Sequence, residues 1–404
     1  MKKISVFIIA LLTFFLLFSC SEKNTDEIDL TNYSEIEKAA EGTEVSFYMW
    51  GGSAEINKWV DEEVGGLLKS KHNITLKRVP MDAGVFINKL LTEKAANKDT
   101  GTIDLVWING ENFKNAKEAE LLFGPYAENL PNFVNFIDKE SVNSDFGYPV
   151  NGYEAPYGKS YFVFEYDSAK LEILPTNFED LLSWVKTHPG RFTYPRPPDF
   201  TGSAFVRLAF YAANGGYENF TDGFSREKLN KGLDNLFEYL NKLKPYLWQE
   251  GKVYPRDAAA LDLLFEQNEI DFSMNYNVSH AQNKINTGQY PKTVRTFVLE
   301  KSALYNLHFT AIPYNAPNKA GALVLSNLLM SPGIQLSKNN PDNWGDLTVL
   351  NTTKLSVDMQ NNFKIINKGA AILGLDILYA EGVPEINAEY LDGIESAWES
   401  EMLQ

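Results

Sequence analysis

The feature that most constrains this chain is an alternation of strand-like and helix-like segments over residues 44–108. The segments are a strand at 44–50, a helix from Glu55, a strand at 74–79, a helix at 85–96 and a strand at 103–108. Strands that alternate with helices in this way are typical of a parallel sheet with helices on both faces. The sequence therefore predicts an α/β fold for this part of the chain.

The second half of the chain predicts the same architecture in a looser form. The segments expected there are strands at 161–166, 191–194 and 270–275 and helices at 178–186, 201–213, 229–243 and 258–266. No repeat of fixed period is visible, which excludes solenoids and propellers.

Length and composition describe a large globular protein. The 404 residues include 13% aromatics and carry a net charge of −16. Such a chain can bury a large core and has the length of about two domains. The acidic balance argues against a nucleic-acid partner and against binding to anionic membrane surfaces, because both need clustered Lys and Arg.

The N-terminus has the pattern of an export signal. Lys2 and Lys3 precede an apolar stretch at 4–18, and Cys20 follows a small residue. Leu17-Phe18-Ser19-Cys20 is similar to a bacterial lipobox, in which the cysteine becomes the acylated first residue. The sequence therefore predicts a signal peptide at 1–19, lipidation at Cys20, and a tether with a short helix at 20–43. The alternative is a buried cysteine at the end of a signal anchor.

The usual motifs of enzymes are missing from the sequence. The four histidines have no close-spaced partner, and neither a Gly-x-Ser-x-Gly elbow nor a phosphate-binding loop is present. The single cysteine excludes a disulfide within the chain. Carboxylates that meet in space stay possible, because their separation cannot be read from sequence. We expect no catalytic residue, no metal and no cofactor.

Two loops in the first half are candidate ligand contacts. In open α/β sheets, ligands bind beyond the carboxyl ends of the strands. The residues at these ends are Trp50, Gly51, Gly52 and Ser53 after the first strand, and Trp107, Asn109 and Glu111 after the third. Glycines allow close backbone approach, and a tryptophan offers a flat ring face. The alternative is that both tryptophans belong to the core.

Two loops in the second half are similar candidates. Asp199 precedes the helix entry formed by Thr201, Gly202 and Ser203. The other loop contains Asn275, Tyr276 and Asn277, which could hold a ligand by ring contact and amide hydrogen bonds. Its alternative is a plain turn, since asparagine-rich loops commonly form turns.

In sequence order, a set of short motifs resembles the extracellular solute-binding proteins of bacterial ABC importers, and the later motifs resemble the YnjB-like branch. The motifs are Trp50-Gly51-Gly52, Asp104-Leu105-Val106-Trp107, Pro156-Tyr157-Gly158-Lys159, Tyr166-Asp167, Pro175-Thr176-Asn177-Phe178, Ile270-Asp271-Phe272, Ile312-Pro313-Tyr314-Asn315, Ser331-Pro332 and Trp344-Gly345-Asp346. The resemblance implies a type II-like periplasmic-binding-protein fold, with two α/β lobes of mixed sheets flanked by helices and a ligand cleft between them.

The resemblance also implies a division of the chain and a set of partners. Lobe 1 would comprise residues 44–156 and 311–345, lobe 2 residues 157–310, and the helices of 346–404 would pack across the lobes. Lys159 and Tyr161 would lie on the first segment that crosses between the lobes and would contact solute. The implied partners are a small solute and permease subunits with a cytoplasmic ATPase. The protein would be a monomer, exported and lipid-anchored, facing the periplasm or the cell exterior.

The class of solute stays open at this stage. Aromatic residues would suit a sugar or an organic cation, whereas the helix entries at Ser53 and Ser203 would suit a phosphate or carboxylate. The main alternative function is a secreted glycan-active enzyme or glycan-binding lipoprotein that uses the same cleft.

Overall fold

The computed structural model describes residues 28–366 and 369–403; the expected signal peptide and Cys20 lie outside them. The strands are β1 Glu44–Met49, β2 Thr75–Pro80, β3 Leu105–Ile108, β4 Leu122–Phe123, β5 Ser144–Asp145, β6 Tyr148–Pro149, β7 Ala155–Tyr161, β8 Val163–Asp167, β9 Phe272–Asn275, β10 Val294–Phe297, β11 Ala303–Pro313 and β12 Gly382–Pro384. The α-helices are α1 Tyr33–Ala40, α2 Ala54–Lys58, α3 Gly65–His72, α4 Ala83–Ala95, α5 Glu111–Glu118, α6 Pro131–Phe136, α7 Phe178–Thr187, α8 Phe200–Ala213, α9 Arg226–Leu243, α10 Ala258–Glu266, α11 His280–Asn286, α12 Lys319–Leu329, α13 Pro332–Asn339, α14 Val357–Ile365, α15 Leu375–Ala380 and α16 Ala388–Met402.

The first lobe is built on a mixed sheet. β1 lies between β2 and β3 and is parallel to both, and β11 continues the sheet antiparallel to β3. The alternation of strands and helices predicted over 44–108 is confirmed, with a π-helical segment at Trp59–Val64 between α2 and α3. This lobe's core takes its side chains from residues 36–157 and 309–355.

The second lobe has a smaller antiparallel sheet in the order β10-β8-β9. Its helix α8 is buried over most of its length, and α16 packs against α8 and α9. The core of this lobe takes its side chains from residues 162–304 and 371–402. Two separate cores, each with its own sheet, make a two-lobed α/β molecule.

The strand predicted at 191–194 is wrong. This stretch is buried and extended, but its carbonyls accept hydrogen bonds from two different segments: Arg191 O from Asp271 N, and Phe192 O from Trp248 N. One backbone hydrogen bond to each of two segments does not form the ladder of hydrogen bonds that pairs two strands. The apolar pattern that suggested a strand instead reflects Phe192 and Tyr194, which are both part of the second core.

The lobes are joined by the long antiparallel pair formed by β7 and β11. Leu304 near the start of β11 belongs to the second core, and Phe309, Ala311 and Ile312 near its end belong to the first, so the strand passes from one lobe to the other. Beside it, a buried ion pair joins Lys338 Nζ to Asp346 Oδ2 at 2.6 Å. Gly158 on β7 faces this pair.

Gly158→Ala is expected to destabilise the protein by about 3 kcal/mol, because overpacked sites cannot relax freely. A Cβ there would overlap the Asp346 carboxylate and the His308 ring and would lie 2.9 Å from Lys338 Nζ. Gly84→Ala on α4 is the matched control, since its added methyl meets nothing within 4 Å and should be neutral or slightly stabilising. Denaturant unfolding measures both; equal effects would contradict the expected crowding at Gly158.

Within 28–366 and 369–403, every helix is too short or too polar to cross a bilayer.

Candidate functional site

The two lobes meet at a charged site. Lobe 1 contributes the start of α5 and the tight β5–β6 hairpin, and lobe 2 contributes α8, the loop after β9 and the segment from β12 into α16. We call this the interlobe site; its residues are Glu111, Lys114, Asp145, Phe146, Ser203, Arg207, Tyr276, Glu385, Glu389, Asp392 and Glu395.

A buried ion pair forms the lobe 2 side of the site. Arg207 binds Glu385 with two hydrogen bonds, Nε to Oε2 at 2.8 Å and Nη2 to Oε1 at 2.7 Å. Both side chains are almost fully buried. Arg207 Nη1 also donates to Ser203 Oγ at 2.6 Å, and the Tyr276 hydroxyl donates to Glu385 Oε1 at 2.9 Å. Burial opposes the charge of Arg207, but Glu385 outweighs it and raises the pKa of the guanidinium.

The β5–β6 hairpin reaches from lobe 1 to this ion pair. Its two-residue loop, Phe146 and Gly147, has positive φ at both positions, as type I′ hairpin loops require. The Phe146 ring lies 5.8 Å from the Arg207 guanidinium carbon and packs against Gly110. Asp145 Oδ2 accepts a hydrogen bond of 2.5 Å from Gly110 N. The hairpin therefore joins the loop after β3 to the buried pair of lobe 2.

Carboxyl groups also meet across the lobes nearer the surface. Glu111, the first residue of α5, lies within hydrogen-bonding reach of Asp392 on α16. Glu395, one turn further along α16, accepts a hydrogen bond from Ser203. Lys114 forms an ion pair with Glu389. These contacts place Glu389, Asp392 and Glu395 of α16 where the two lobes meet.

The interlobe site contains more carboxylates than cations. Arg207 is paired with Glu385 and Lys114 with Glu389. Among the described residues, four carboxyls of the site have no ion-pair partner: Glu111, Asp145, Asp392 and Glu395. This excess is the main electrostatic property of the site.

Three carboxyl groups of the site have raised pKa values, and the causes differ between them. Hydrogen bonding to Asp392, followed by burial and the charges of Asp392 and Glu395, raises the pKa of Glu111 to about 8. Burial raises the pKa of Asp145, and repulsion from Glu385 adds to it. Burial also raises the pKa of Glu395. Glu111 therefore keeps its proton at pH values where an ordinary carboxyl is ionised.

We expect the melting temperature of the solute-free protein to fall as pH rises from about 5 to 8. A carboxyl whose pKa is higher in the folded than in the unfolded state binds more protons when folded, so folding stability decreases with pH between the two values. Glu111→Gln should reduce this slope. Asp234→Asn, at an exposed position of α9, is the control and should leave the slope unchanged. A flat wild-type profile would contradict the raised pKa of Glu111.

Both helix entries that could have bound an anion are already capped by the chain itself. Asp199 Oδ1 accepts from the backbone N–H groups of Thr201 and Gly202, each at 3.0 Å. Ser53 Oγ accepts from Ile56 N at 3.3 Å. Capping side chains satisfy the N–H groups that would hold a phosphate. At both helix entries, capping side chains therefore already bind N–H groups that an anion would need.

Of the residues predicted from sequence, Glu111, Ser203 and Tyr276 come together in the interlobe site. Thr201 and Gly202 lie in the first turn of α8, close to it. Asn275 and Asn277 use their amide oxygens to accept from Asn277 N and Ser279 N, which is turn chemistry.

The predicted residues on the lobe 1 loops and the crossing strand are placed differently. Trp50 is 48% exposed, with its ring over Gly52. Trp107 is half-buried and packs against Tyr157, His308 and Trp344. Among the remaining predicted residues, Gly51 lies against Pro80 and Ser53 caps α2. Asn109 follows β3 and is half-buried. The ammonium group of Lys159 lies over the rings of Tyr161, Tyr305 and Tyr379.

The sequence analysis missed most of the charged side chains of the site. Two signals were available. Arg207 is the one charged residue of α8 and stands between the apolar residues Val206 and Leu208, which indicates a buried ion pair. Asp392 and Glu395 have the spacing of one helix face, which lies beside the face of α16 that packs into the core. The approach of α16 to α5 has no local signature, because it depends on how the lobes meet.

A second charged cluster lies within lobe 2. His280 bonds through Nδ1 to Glu165 Oε1 at 2.8 Å and through Nε2 to Asp262 Oδ2 at 3.1 Å. This cluster of Glu165, Asp262 and His280 is the only group of three or more metal-ligand side chains that converge in the described part of the chain. Burial opposes the charge on His280, but the two carboxylates outweigh it and raise the imidazole pKa. An imidazolium held between two carboxylates explains this cluster without a metal.

The two-lobed α/β fold is that of the periplasmic binding proteins, and the comparisons with known proteins agree. Residues 68–365 match the family model described as "Bacterial extracellular solute-binding protein". The protein is 38% identical to "Protein YnjB" of Escherichia coli (strain K12) over 328 residues, which cover 80% of this chain and 84% of that protein.

Solved structures show the same fold at low identity. An ABC transporter substrate-binding protein from Bradyrhizobium japonicum USDA 110 superposes with a TM-score of 0.64 at 17% identity, covering 90% of this chain and 100% of that one. The spermidine/putrescine ABC transporter substrate-binding protein PotD from Streptococcus pneumoniae superposes with a TM-score of 0.60 at 14% identity, with the same coverage. The chain belongs to the bacterial extracellular solute-binding protein family, and its function is solute binding.

Proposed function

We propose that this protein captures a cationic solute between its lobes and delivers it to the permease of an ABC importer. The observation that carries the proposal is the excess of carboxyl groups in the interlobe site. Glu111, Asp145, Asp392 and Glu395 have no ion-pair partner among the described residues, while the two cations of the site are already paired. A positively charged solute would supply the missing counter-charge.

The raised pKa values support the same conclusion. Burying carboxylates without a partner is unfavourable, and such groups take up protons instead. A cation that binds among them replaces those protons and gains charge-assisted hydrogen bonds, which are stronger than neutral ones. An anionic solute would meet repulsion here, and the helix entries that could have attracted it are capped by Asp199 and Ser53.

Lobe closure is the expected mode of capture. Glu111 and Lys114 on lobe 1 face Asp392 and Glu389 on lobe 2, so opening the lobes separates these contacts. A solute that contacts both lobes stabilises the closed form, and hinge closure around ligands is common in two-lobed binding proteins. One structural neighbour is described as a spermidine/putrescine binding protein, which is consistent with an amine as solute.

The cellular setting is part of the same proposal. We propose that the protein is exported and anchored by lipid at Cys20, and that it works as a monomer with permease subunits and a cytoplasmic ATPase. The signal pattern of residues 1–20 supports export.

Isothermal titration with solutes of different charge tests the proposal. The protein is unfolded and refolded to remove carried-over solute, then titrated with putrescine, spermidine, 4-aminobutyrate and fructose 6-phosphate. At least one of the two polyamines is expected to bind in the micromolar range or tighter, and the sugar phosphate is expected not to bind. Binding of the anion without binding of either amine would overturn the proposal.

A glycan-active enzyme is the second candidate, favoured by one observation. Burial raises the pKa of Asp145, and a carboxyl with a raised pKa is the form that the general acid of a glycosidase takes. Incubation with oligosaccharides, followed by mass analysis, decides between the two functions. Recovery of unaltered sugar supports the binding protein, and shortened products would support the enzyme.

A further inference from the structure

The lobes also meet at a second place, between the start of α11 on lobe 2 and the turn at 341–345 on lobe 1. Three side chains of lobe 2 donate hydrogen bonds to this turn: Ser279 Oγ to Gly345 O at 2.7 Å, Asn283 Nδ2 to Trp344 O at 3.1 Å, and Asn286 Nδ2 to Asp342 Oδ1 at 3.2 Å. We call these three bonds the α11 clasp. None of them involves a residue of the interlobe site.

The lobe 2 half of the clasp is fixed to its own lobe. His280, the first residue of α11, is bound by Glu165 on β8 and by Asp262 on α10. The next residue, Ala281, is part of the second core. Since Ser279 directly precedes His280, the charged cluster around His280 holds the start of the helix that carries the clasp.

The lobe 1 half is equally well anchored. The Trp344 ring belongs to the first core and packs against Trp59 and Trp107, with ring centroids 5.3 and 5.8 Å apart. Gly345 N donates to Lys338 O on α13 at 2.9 Å. Each half of the clasp therefore moves with its own lobe, and any rotation of one lobe against the other acts on the bonds between them.

The clasp extends away from the strands that join the lobes. Gly345 lies two residues before Leu347, whose backbone pairs with Lys159 on β7. Ser279 and Gly345 are buried beside this crossing, whereas Asn286 is exposed. The seven residues from Ser279 to Asn286 correspond to a rise of about 10 Å along the helix. Because the lobes turn about the crossing strands, the outer bonds of the clasp must separate when the lobes open.

Gly345 allows the two halves of the clasp to approach. Its φ is +80°, in the region that favours glycine. A Cβ at this position would overlap Cβ and Oγ of Ser279 and would lie 3.2 Å from Pro341 Cα. The lack of a side chain at position 345 is therefore a requirement of the contact between the lobes as well as of the turn itself.

We infer that the α11 clasp holds the lobes closed and sets how tightly the protein keeps its solute. The inference rests on the proposed lobe closure and assigns residues to it. Because the clasp forms only when the lobes are together, it stabilises the closed form without contacting the solute. Ser279, Asn283 and Gly345 are then positioning residues for solute binding.

Small-angle X-ray scattering of the solute-free protein tests the clasp with two matched glycine variants. Gly345→Ala places a methyl group between the two halves and should hold the lobes open, which increases the radius of gyration. Gly190→Ala is the control, because Gly190 has a φ of +81° but its added methyl meets nothing within 4 Å. The control should scatter like wild type. An unchanged or smaller radius of gyration in Gly345→Ala would overturn the inference.

A second variant keeps the test valid if Gly345→Ala does not fold. Ser279→Ala/Asn283→Ala only removes atoms, and Ser279 makes no capping bond to α11. This variant should raise the dissociation constants for spermidine and putrescine about tenfold, the effect expected for the loss of two neutral hydrogen bonds. Ser183→Ala/Asn230→Ala makes the same changes at exposed positions of α7 and α9 and should bind like wild type.

The outcomes separate this inference from the proposed function. If wild type binds neither amine, the cationic-solute proposal fails, and scattering from the solute-free variants still decides the role of the clasp. If wild type binds an amine and Ser279→Ala/Asn283→Ala binds it equally well, the clasp does not set affinity and the inference is overturned, while the proposed function stands.

Discussion

Asp145→Asn is expected to weaken amine binding by about tenfold to a hundredfold while raising the melting temperature at pH 8. The carboxylate is buried, unpaired and repelled by Glu385, so its ionised form destabilises the solute-free protein. A bound ammonium uses that charge in a hydrogen bond worth about 1.5–3 kcal/mol. The amide oxygen of asparagine can still accept from Gly110 N, which keeps the hairpin in place.

Titration calorimetry and thermal melting of the same samples measure both effects. Asp234→Asn makes the same chemical change at an exposed position of α9 and should alter neither property. A substitution that raises the melting temperature and weakens solute binding identifies a residue that serves binding at the expense of stability. An unchanged dissociation constant in Asp145→Asn would show that solute binds elsewhere.

Arg207→Met is expected to lower the free energy of unfolding by about 3–5 kcal/mol. The substitution leaves Glu385 buried without its partner, and removing one member of a buried pair is strongly destabilising. The double variant Arg207→Met/Glu385→Gln should recover much of this loss, because no unpaired charge remains.

Denaturant unfolding of the two variants and of wild type tests the ion pair. A loss below about 1 kcal/mol in Arg207→Met would contradict the buried pair. Equal losses in the single and double variants would show that packing of the long side chain matters more than its charge.

The elements of the fold were largely predictable because their signals are local. Apolar spacing placed α10 at residues 258–266 and α9 around 229–243 without reference to the rest of the molecule. The strand expected at 191–194 fails for a non-local reason, since its backbone bonds are shared between two segments. The hydrophobic pattern of these residues indicates that they are buried, but burial alone does not produce the hydrogen bonds that pair one strand with another.

The candidate site was predictable only in part. Glu111, Ser203 and Tyr276 were found because they follow strand ends or open helices, where ligands commonly bind. The buried pair and the acidic face of α16 come from segments far apart in sequence, and their meeting depends on how the two lobes pack. Phe146 was missed because a hairpin of two two-residue strands has too short a pattern to read.

Native mass spectrometry of the freshly purified protein tests the central claim most directly, because a tightly held solute survives gentle purification. We expect a fraction of the protein to carry one additional mass, which fragments to a small organic amine. An additional mass that proves to be a metal ion, an anion or a product altered by the protein would contradict the account of a trap for organic cations.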